Sequence, residues 1–248
     1  MKFWYPTLLA ALISTSASAV EDLRVPGGVA VIPVEADAQP RFNGKPVLTI
    51  QENGQSLAVV GLALSTEPGD YTLESDDQRI PFTVSPKKYL EQRIYLENKR
   101  HVTPNTLDLD RIKKESQKQR GALDAFGGKL DSVRMILPVE GPISGPFGKR
   151  RFFNDQPRRP HSGTDIAAPA GTPIKVAASG RVSLVGDFFF NGRLVVVDHG
   201  EGLKTMYNHM DRIDVKENQV VSRGESIGTV GSTGRSTGPH LHLGVILN

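Results

Sequence analysis

The sequence predicts a mainly β protein: a small N-terminal β-sandwich and a C-terminal antiparallel β-sheet domain, joined by a helical connector. Short runs of β-branched and apolar residues, separated by Gly, Asn and Pro turn signals, occur toward both ends of the chain. Between them lies a charged stretch with few apolar residues. Because 38% of the residues are hydrophobic, as in ordinary globular proteins, packed cores are feasible.

The first element, residues 1–19, is predicted to be a secretory signal. Lys2 precedes a short apolar run, and Ala17 and Ala19 supply the small residues of a cleavage site. The run is too short to cross a bilayer, and no later stretch approaches the roughly 20 apolar residues that a membrane helix needs. We therefore expect export to the periplasm without a stable membrane span, with secretion or a retained signal anchor as alternatives.

Residues 20–86 are predicted to form the small sandwich. They contain four β-type runs, at residues 30–34, 46–50, 57–64 and 80–84. The turn signals between them are Asn43-Gly44, Asn53-Gly54 and Pro68-Gly69-Asp70. Short strands with such turns favour an antiparallel sandwich.

Residues 87–134 are predicted to be a charged helical connector. Leu109 and Ile112 are followed by a long run of charged and polar residues, so the helix should be solvated. Thr106 or Asp108 is the predicted N-cap, since hydroxyl and carboxylate side chains accept from the first free backbone N–H groups.

Residues 135–248 are predicted to form the second β domain, from short Val- and Gly-rich strands. His240 and His242 fall on one such strand, so both imidazoles should point to the same face. His161 and Asp165 are expected on a loop instead, because Pro160 and Gly163 disfavour a regular helix there.

Within this second domain, four of the six histidines of the chain, His161, His209, His240 and His242, occur in motifs together with the carboxylate of Asp165. Zinc prefers imidazole and carboxylate ligands, and a catalytic site uses three of them and leaves one position to water. The chain has no cysteine, which excludes thiolate ligands, disulfides and a cysteine nucleophile. The composition therefore predicts a zinc hydrolase site with two histidines to spare.

Four motifs in this domain resemble the lysostaphin-type (LytM-like) zinc metallo-endopeptidases, with a peptidoglycan (murein) DD-endopeptidase as the most similar kind of member. The matching segments are residues 144–154, 161–174, 198–209 and 231–242. The resemblance covers nearly all of residues 135–248 and implies cleavage of peptide cross-links in bacterial peptidoglycan.

The resemblance also implies the roles of the site residues. His161, Asp165 and His242 would bind one Zn²⁺ per chain, while His209 and His240 would handle protons. The sequence contains no HExxH glutamate, so a histidine with a pKa of about 6.5 suits the role of base. Which of the two is the base stays open, and activity is expected to fall below about pH 6 as they become protonated.

Other candidates are given weaker roles. His101 has no partner motif and is set aside, and His199 is expected in a turn or a supporting role. Tyr207 would share a strand face with His209, either as a hydrogen-bond donor to the substrate or in the core. The basic residues 149–151 and 158–159 could hold acidic substrate groups or form a solvated face.

The expected function is an exported endopeptidase that acts on peptidoglycan stem peptides. The net charge of +3 suits an anionic cell wall and does not call for nucleic acid as a partner. A non-hydrolytic activator of other cell-wall hydrolases and a secreted bacteriolysin are the rival interpretations. The N-terminal domain would either regulate access to the site, with a regulatory protein as a further partner, or anchor the enzyme.

Overall fold

Two antiparallel sheets face each other in the N-terminal domain of the computed structural model, which describes residues 20–247. The proposed signal, residues 1–19, lies outside the described residues. The strands of this domain are β1 (Val29–Val34), β2 (Arg41–Phe42), β3 (Lys45–Pro46), β4 (Leu48–Glu52), β5 (Gln55–Gly61), β6 (Gly69–Ser75) and β7 (Gln78–Val84). One sheet has the order β1-β5-β4 and the other β3-β2-β6-β7.

Both sheets contribute to one apolar core, which confirms the predicted sandwich. Its buried residues are Ala30, Ile32, Val47, Ala58, Val60, Leu62, Leu73, Phe82 and Val84. The strands β2 and β3 turn at Asn43-Gly44, and β4 and β5 turn at Asn53-Gly54, with positive φ at all four residues. Two central residues with positive φ match the right-handed twist of paired strands, so these turns fix the hairpins as predicted.

Strand β6 was missed by the sequence prediction, which placed a turn where the strand begins at Gly69. Its side chains alternate between the sandwich interior and solvent, with Leu73 buried and Glu74 exposed. Such alternation lacks the continuous apolar run by which the other strands were recognised.

The connector contains a strand β8 (Glu91–Ile94), a short 3-10 helix (Lys99–His101) and a helix α1 (Thr106–Asp124). The predicted N-caps were wrong: Asn105 is the N-cap, and its side chain accepts from the backbone N–H of Asp108. Asp108 in turn accepts a hydrogen bond from the Asn105 N–H, which completes a capping box.

The C-terminal domain is built on a nine-stranded sheet. Its region contains β9 (Ile143–Gly145), β10 (Arg150–Phe153), β11 (Gln156–Pro157), β12 (Thr164–Ala167), β13 (Pro173–Lys175), β14 (Gly180–Phe188), β15 (Gly192–Gly200), β16 (Leu203–Ile213), β17 (Val220–Val221), β18 (Ser226–Val230) and β19 (His240–Ile246). The main order is β17-β14-β15-β16-β19-β12-β9, with β18 pairing both β13 and β16. The remaining strands, β10 and β11, form a small sheet with β8 of the connector.

The connector helix is docked on the C-terminal sheet and is not simply solvated. Ala122 and Leu123 of α1 pack on an apolar cluster that includes Leu184 and Leu194. At the end of the helix, the buried Lys204 donates a hydrogen bond to the carbonyl of Ala125. One side of α1 therefore belongs structurally to the sheet domain.

The two domains meet through a second apolar cluster. Leu48, Ile50 and Val59 of the sandwich are buried with Leu203 of the sheet domain, and Leu130 packs against them. Burial of apolar surface of this kind is the main force that holds domains together. Among residues 20–247, no helix combines the length and the apolar character that crossing a membrane requires.

Candidate active site

Three neighbouring strands, and the loop that leads into one of them, bring the predicted site residues together. Strand β19 lies between β12 and β16, and its His242 stands opposite Asp165 on one side and Asn208 on the other. His240 and His242 share β19 and face the same site, as their spacing predicted. The loop prediction for Asp165 was wrong, because this residue lies on β12 and pairs with strands on both sides.

His161, Asp165 and His242 form a compact, buried group that could hold a metal ion. The His161 Nε2 lies 3.0 Å from Asp165 Oδ1 and 3.0 Å from His242 Nδ1. The distance from His242 Nδ1 to Asp165 Oδ1 is 2.8 Å. Gly163 gives the His242 ring its space, since a Cβ on Gly163 would lie 2.5 Å from His242 Nε2.

The chemistry of these three atoms fits a cation. His161 Nδ1 lies 2.9 Å from the Pro146 carbonyl oxygen, which can only accept, so Nδ1 carries the hydrogen and Nε2 carries a lone pair. Two imidazole nitrogens and a carboxylate oxygen at such short separations repel one another unless a cation or a proton lies among them. Two nitrogens and one oxygen also match the donor set of catalytic zinc sites.

Arg151 holds the second oxygen of Asp165. Its guanidinium lies 2.6 Å from Asp165 Oδ2, which leaves Oδ1 to face the histidines. Gly145 lies beneath the carboxylate, and a Cβ there would be 2.3 Å from Oδ2. Burial raises the pKa of Asp165, but the contacts with His161 and His242 outweigh it and hold the pKa well below its usual range. Asp165 is therefore an anion at neutral pH.

His209 reaches the site through an irregularity in β16. Its backbone φ is +63°, which is uncommon for a residue other than glycine, and the pairing register shifts after Met210. Because of this irregularity, His209 turns toward His240, with ring centres 4.8 Å apart, while Tyr207 stays in the core. The predicted shared face of Tyr207 and His209 was therefore wrong.

Tyr207 is a core residue. Its side chain is fully buried, and its hydroxyl oxygen accepts hydrogen bonds from the Ala177 N–H and from Thr205 Oγ1. Burial raises the pKa of Tyr207 to about 12. Of the two roles open to Tyr207, the structure therefore selects core packing.

His209 and His240 flank the three-residue group with fixed ring orientations. Nδ1 of His209 donates to the Thr233 carbonyl, and Nδ1 of His240 donates to the Gly238 carbonyl, both at 2.8 Å. Nε2 of each ring is thus the atom left free of these two bonds, and that of His240 lies 3.7 Å from Asp165 Oδ1. Burial, followed by the neighbouring His240, lowers the pKa of His209 to about 3.

The low pKa of His209 changes how activity is expected to depend on acid pH. His209 stays neutral far below pH 6, so a loss of activity near that pH does not come from protonation of this imidazole. His209 is available as a neutral acceptor over the whole ordinary pH range.

The two remaining histidines lie outside this group. His199 is buried on β15, where its ring bridges the Ser179 carbonyl and Thr205 Oγ1, both at 2.8 Å. This agrees with a supporting role. His101 packs edge-on against Phe189, with ring centres 5.1 Å apart.

Strand β10, which includes the basic residues Arg150 and Arg151, makes two contacts near the site that the sequence did not reveal. Arg151 pairs with Asp165, and Phe153 stacks with Arg235 from the loop before His240. No local pattern signals either contact, since each joins residues distant in sequence.

Comparisons with known proteins cover both domains. The sequence model of Peptidase family M23 matches residues 159–248, and that of the Peptidase family M23 N-terminal domain matches residues 23–87. A crystal structure of a proposed M23 peptidase from Pseudomonas aeruginosa is 42% identical, with a TM-score of 0.75 over 90% of both chains.

Curated relatives match the C-terminal half. Peptidoglycan DD-endopeptidase ShyA of Vibrio cholerae is 41% identical over 127 residues, which are 50% of this chain and 30% of the relative. DD-carboxypeptidase/endopeptidase Mpg of Neisseria meningitidis is 43% identical over 106 residues, 43% of this chain and 24% of the relative. The chain thus spans less than a third of the length of these relatives.

Proposed function

Because the chain belongs to peptidase family M23, we propose that it is a zinc metallo-endopeptidase that hydrolyses the peptide cross-links of bacterial peptidoglycan. The observation that carries this proposal is the convergence of His161 Nε2, Asp165 Oδ1 and His242 Nδ1, with neighbouring atoms no more than 3.0 Å apart. Two further histidines stand beside these atoms with Nε2 available.

His161, Asp165 and His242 would hold one Zn²⁺ per chain. Bound Zn²⁺ supplies a Lewis acid that polarises the scissile carbonyl and activates the attacking water. Two of the ligands are oriented by their neighbours, since Pro146 fixes the tautomer of His161 and Arg151 fixes the orientation of Asp165. Such supporting contacts normally raise the affinity and the precision of a metal site.

His209 and His240 are proposed to move the protons of the reaction. A neutral imidazole accepts the proton of the attacking water at Nε2, and the resulting cation is stabilised by the carbonyl that accepts from Nδ1. The same protonated ring can then give its proton to the leaving amine. Both histidines present Nε2 for this cycle, and the partner ring would steady the developing negative charge on the carbonyl oxygen.

The substrate is proposed to be a stem-peptide cross-link cut by DD-endopeptidase activity, which is supported by the name of the V. cholerae relative, a peptidoglycan DD-endopeptidase of which 30% of the length matches this chain. Such a substrate lies outside the cytoplasm. The signal predicted in residues 1–19 would deliver the chain there, and the periplasm is the proposed location.

Digestion of purified peptidoglycan tests the proposal. The zinc-loaded protein should release cross-linked muropeptides as monomers, and mass spectrometry of the new termini should identify the cleaved bond. His161→Ala and His242→Ala should lose both zinc and activity, since each removes one of three protein ligands. Intact cross-links after digestion with fully zinc-loaded protein would favour the non-hydrolytic activator instead.

A further inference from the structure

Arg235 is held by aromatic rings and not by an acid. Its guanidinium carbon Cζ lies 4.5 Å from the ring centre of Phe153 and 4.3 Å from that of Phe190. Within residues 20–247, the guanidinium has no hydrogen bond and no ion pair. Cation–π contacts fix the position of the charge but provide no acceptor for its five N–H donors.

Arg235 belongs to a loop beside the site. This loop is bonded to both proposed proton-transfer residues, through Thr233 to His209 and through Gly238 to His240. Arg235 lies between these two attachment points in sequence. Its backbone N–H is itself held by the carbonyl of Phe190.

The surroundings of Arg235 are positively charged. Burial, and then the charges of Arg151 and Arg158, lower its pKa to about 10, so it remains charged at neutral pH. Arg151 is already paired with Asp165, and Arg158 donates to the Val102 carbonyl. The contacts of Arg151 and Arg158 therefore leave the positive charge of Arg235 without a negative partner in the described part of the chain.

We infer that Arg235 forms a subsite for a carboxylate of the peptide substrate, next to the proposed metal centre. This inference rests on the proposed function. A guanidinium binds a carboxylate through two parallel hydrogen bonds, which an uncharged carboxamide cannot reproduce with equal strength. Peptidoglycan stem peptides present carboxylates at the chain terminus and on side chains, and the rings of Phe153 and Phe190 keep the guanidinium ready for one of them.

The test uses three synthetic cross-linked stem peptides: one with all carboxylates free, one amidated at the chain terminus, and one amidated on the side chain. For the wild-type protein, amidation of the carboxylate that Arg235 binds should lower kcat/KM about 10- to 100-fold, mainly through KM. Arg235→Gln should hydrolyse all three peptides alike, at about the rate of the wild type on the affected amide. The peptide that responds identifies the source of the carboxylate.

Two controls separate the subsite from other causes. Arg223→Gln removes an exposed arginine of the same domain and should keep the wild-type preference. Arg235→Lys keeps the charge without the paired donors and should retain only part of the preference. Equal losses on all three peptides in Arg235→Gln, or a wild type indifferent to amidation, would overturn the inference.

Binding is measured separately from hydrolysis. In the His240→Ala background, calorimetry should show that the free-acid peptide binds more tightly than the affected amide, and that adding Arg235→Gln abolishes the difference. If the wild type cleaves none of the peptides, the proposed function fails. The calorimetric comparison then still supports the subsite if the difference is present and rejects it if the difference is absent.

Discussion

At the residue scale, backbone carbonyls decide which atoms of the site are reactive. Pro146, Thr233 and Gly238 each accept a hydrogen from the Nδ1 atom of a site histidine. All three rings therefore present Nε2, although one is a proposed metal ligand and the others are proposed proton carriers. The roles differ because the distances to Asp165 Oδ1 differ. His161 Nε2 lies 3.0 Å from this oxygen, whereas His240 Nε2 lies 3.7 Å from it.

The first prediction separates metal binding from proton transfer. His209→Ala and His240→Ala should retain one zinc per chain, since neither ring belongs to the converging group, but should lose about 100-fold or more in kcat. Zinc content by atomic absorption and turnover on the same samples check the two parts. His101→Ala, which removes a histidine outside the group, should leave both unchanged. Loss of zinc in His209→Ala would assign that ring to the metal instead.

A second prediction concerns the acid stability of the metal-free protein. The unfolded chain takes up a proton on His209 near pH 6.5, whereas the folded chain does so near pH 3. Between these values the unfolded state binds more protons, so the free energy of unfolding should decrease as the pH falls. For this one group the slope is about 1.4 kcal/mol per pH unit.

Urea denaturation between pH 7 and pH 4, in the presence of a chelator, measures this slope. His209→Asn removes the titrating group and should give a shallower dependence than the wild type. An unchanged slope in the variant would show that His209 does not differ in pKa between the two states.

At the element scale, helix α1 is tied to the sheet domain at its end. The buried Lys204 donates to the Ala125 carbonyl, and its Nζ lies 4.0 Å from Asp198 Oδ2. Burial lowers the pKa of Lys204, so this ammonium group depends on both contacts. The arrangement satisfies a carbonyl at the C-terminal end of the helix, where intrahelical donors are absent.

The third prediction follows from this contact. Lys204→Met keeps most of the side-chain volume but removes the donor, so the protein should lose about 1–3 kcal/mol of stability. Hydrogen exchange of the α1 amides should become faster, since the helix loses its attachment. Lys113→Met, on the exposed side of the same helix, is the matched control and should be near neutral. Unchanged protection of α1 in Lys204→Met would mean that packing alone holds the helix.

The sequence predicted correctly those features that depend on residues close together in the chain. The alternation rule placed His240 and His242 on one strand face, and the Asn-Gly pairs at 43–44 and 53–54 identified hairpin turns. The strand position of Asp165 was missed because its pairing partner, His242, lies 77 residues later in the chain. Similarly, the aromatic neighbours of Arg235 become adjacent only in the folded sheet.

At the scale of the whole molecule, the N-terminal domain touches the segment that supports His161. Gly27 lies against the ring of Phe147, and the hydroxyl of Tyr89 donates to the Pro26 carbonyl. The residue after Phe147, Gly148, donates its backbone N–H to the carbonyl of His161. These contacts form a continuous physical connection from the first domain to a proposed metal ligand.

The connector contributes to the same support. Strand β8 pairs in parallel with β10, which carries Arg151, and Gln92 of β8 accepts from the Arg151 guanidinium at 3.2 Å. A chain that began at Met135 would lose both this strand and α1. The influence of residues 20–86 is therefore better tested in a chain that begins at Lys87 and keeps the connector.

The last prediction is that this shorter chain hydrolyses peptidoglycan more slowly than the chain that begins at Val20, at equal zinc content. Removing the sandwich exposes Leu203 and releases the segment around Phe147, so the loop that holds His161 should sample non-productive positions more often. Tyr89→Phe in the longer chain removes one hydrogen bond, from the Tyr89 hydroxyl to the Pro26 carbonyl of the sandwich domain. This change should also lower the rate, but by less than removal of the sandwich. If the sandwich instead covers the site, both changes should raise the rate, because the open state would gain population. Rates and zinc contents measured on the three proteins distinguish support from occlusion.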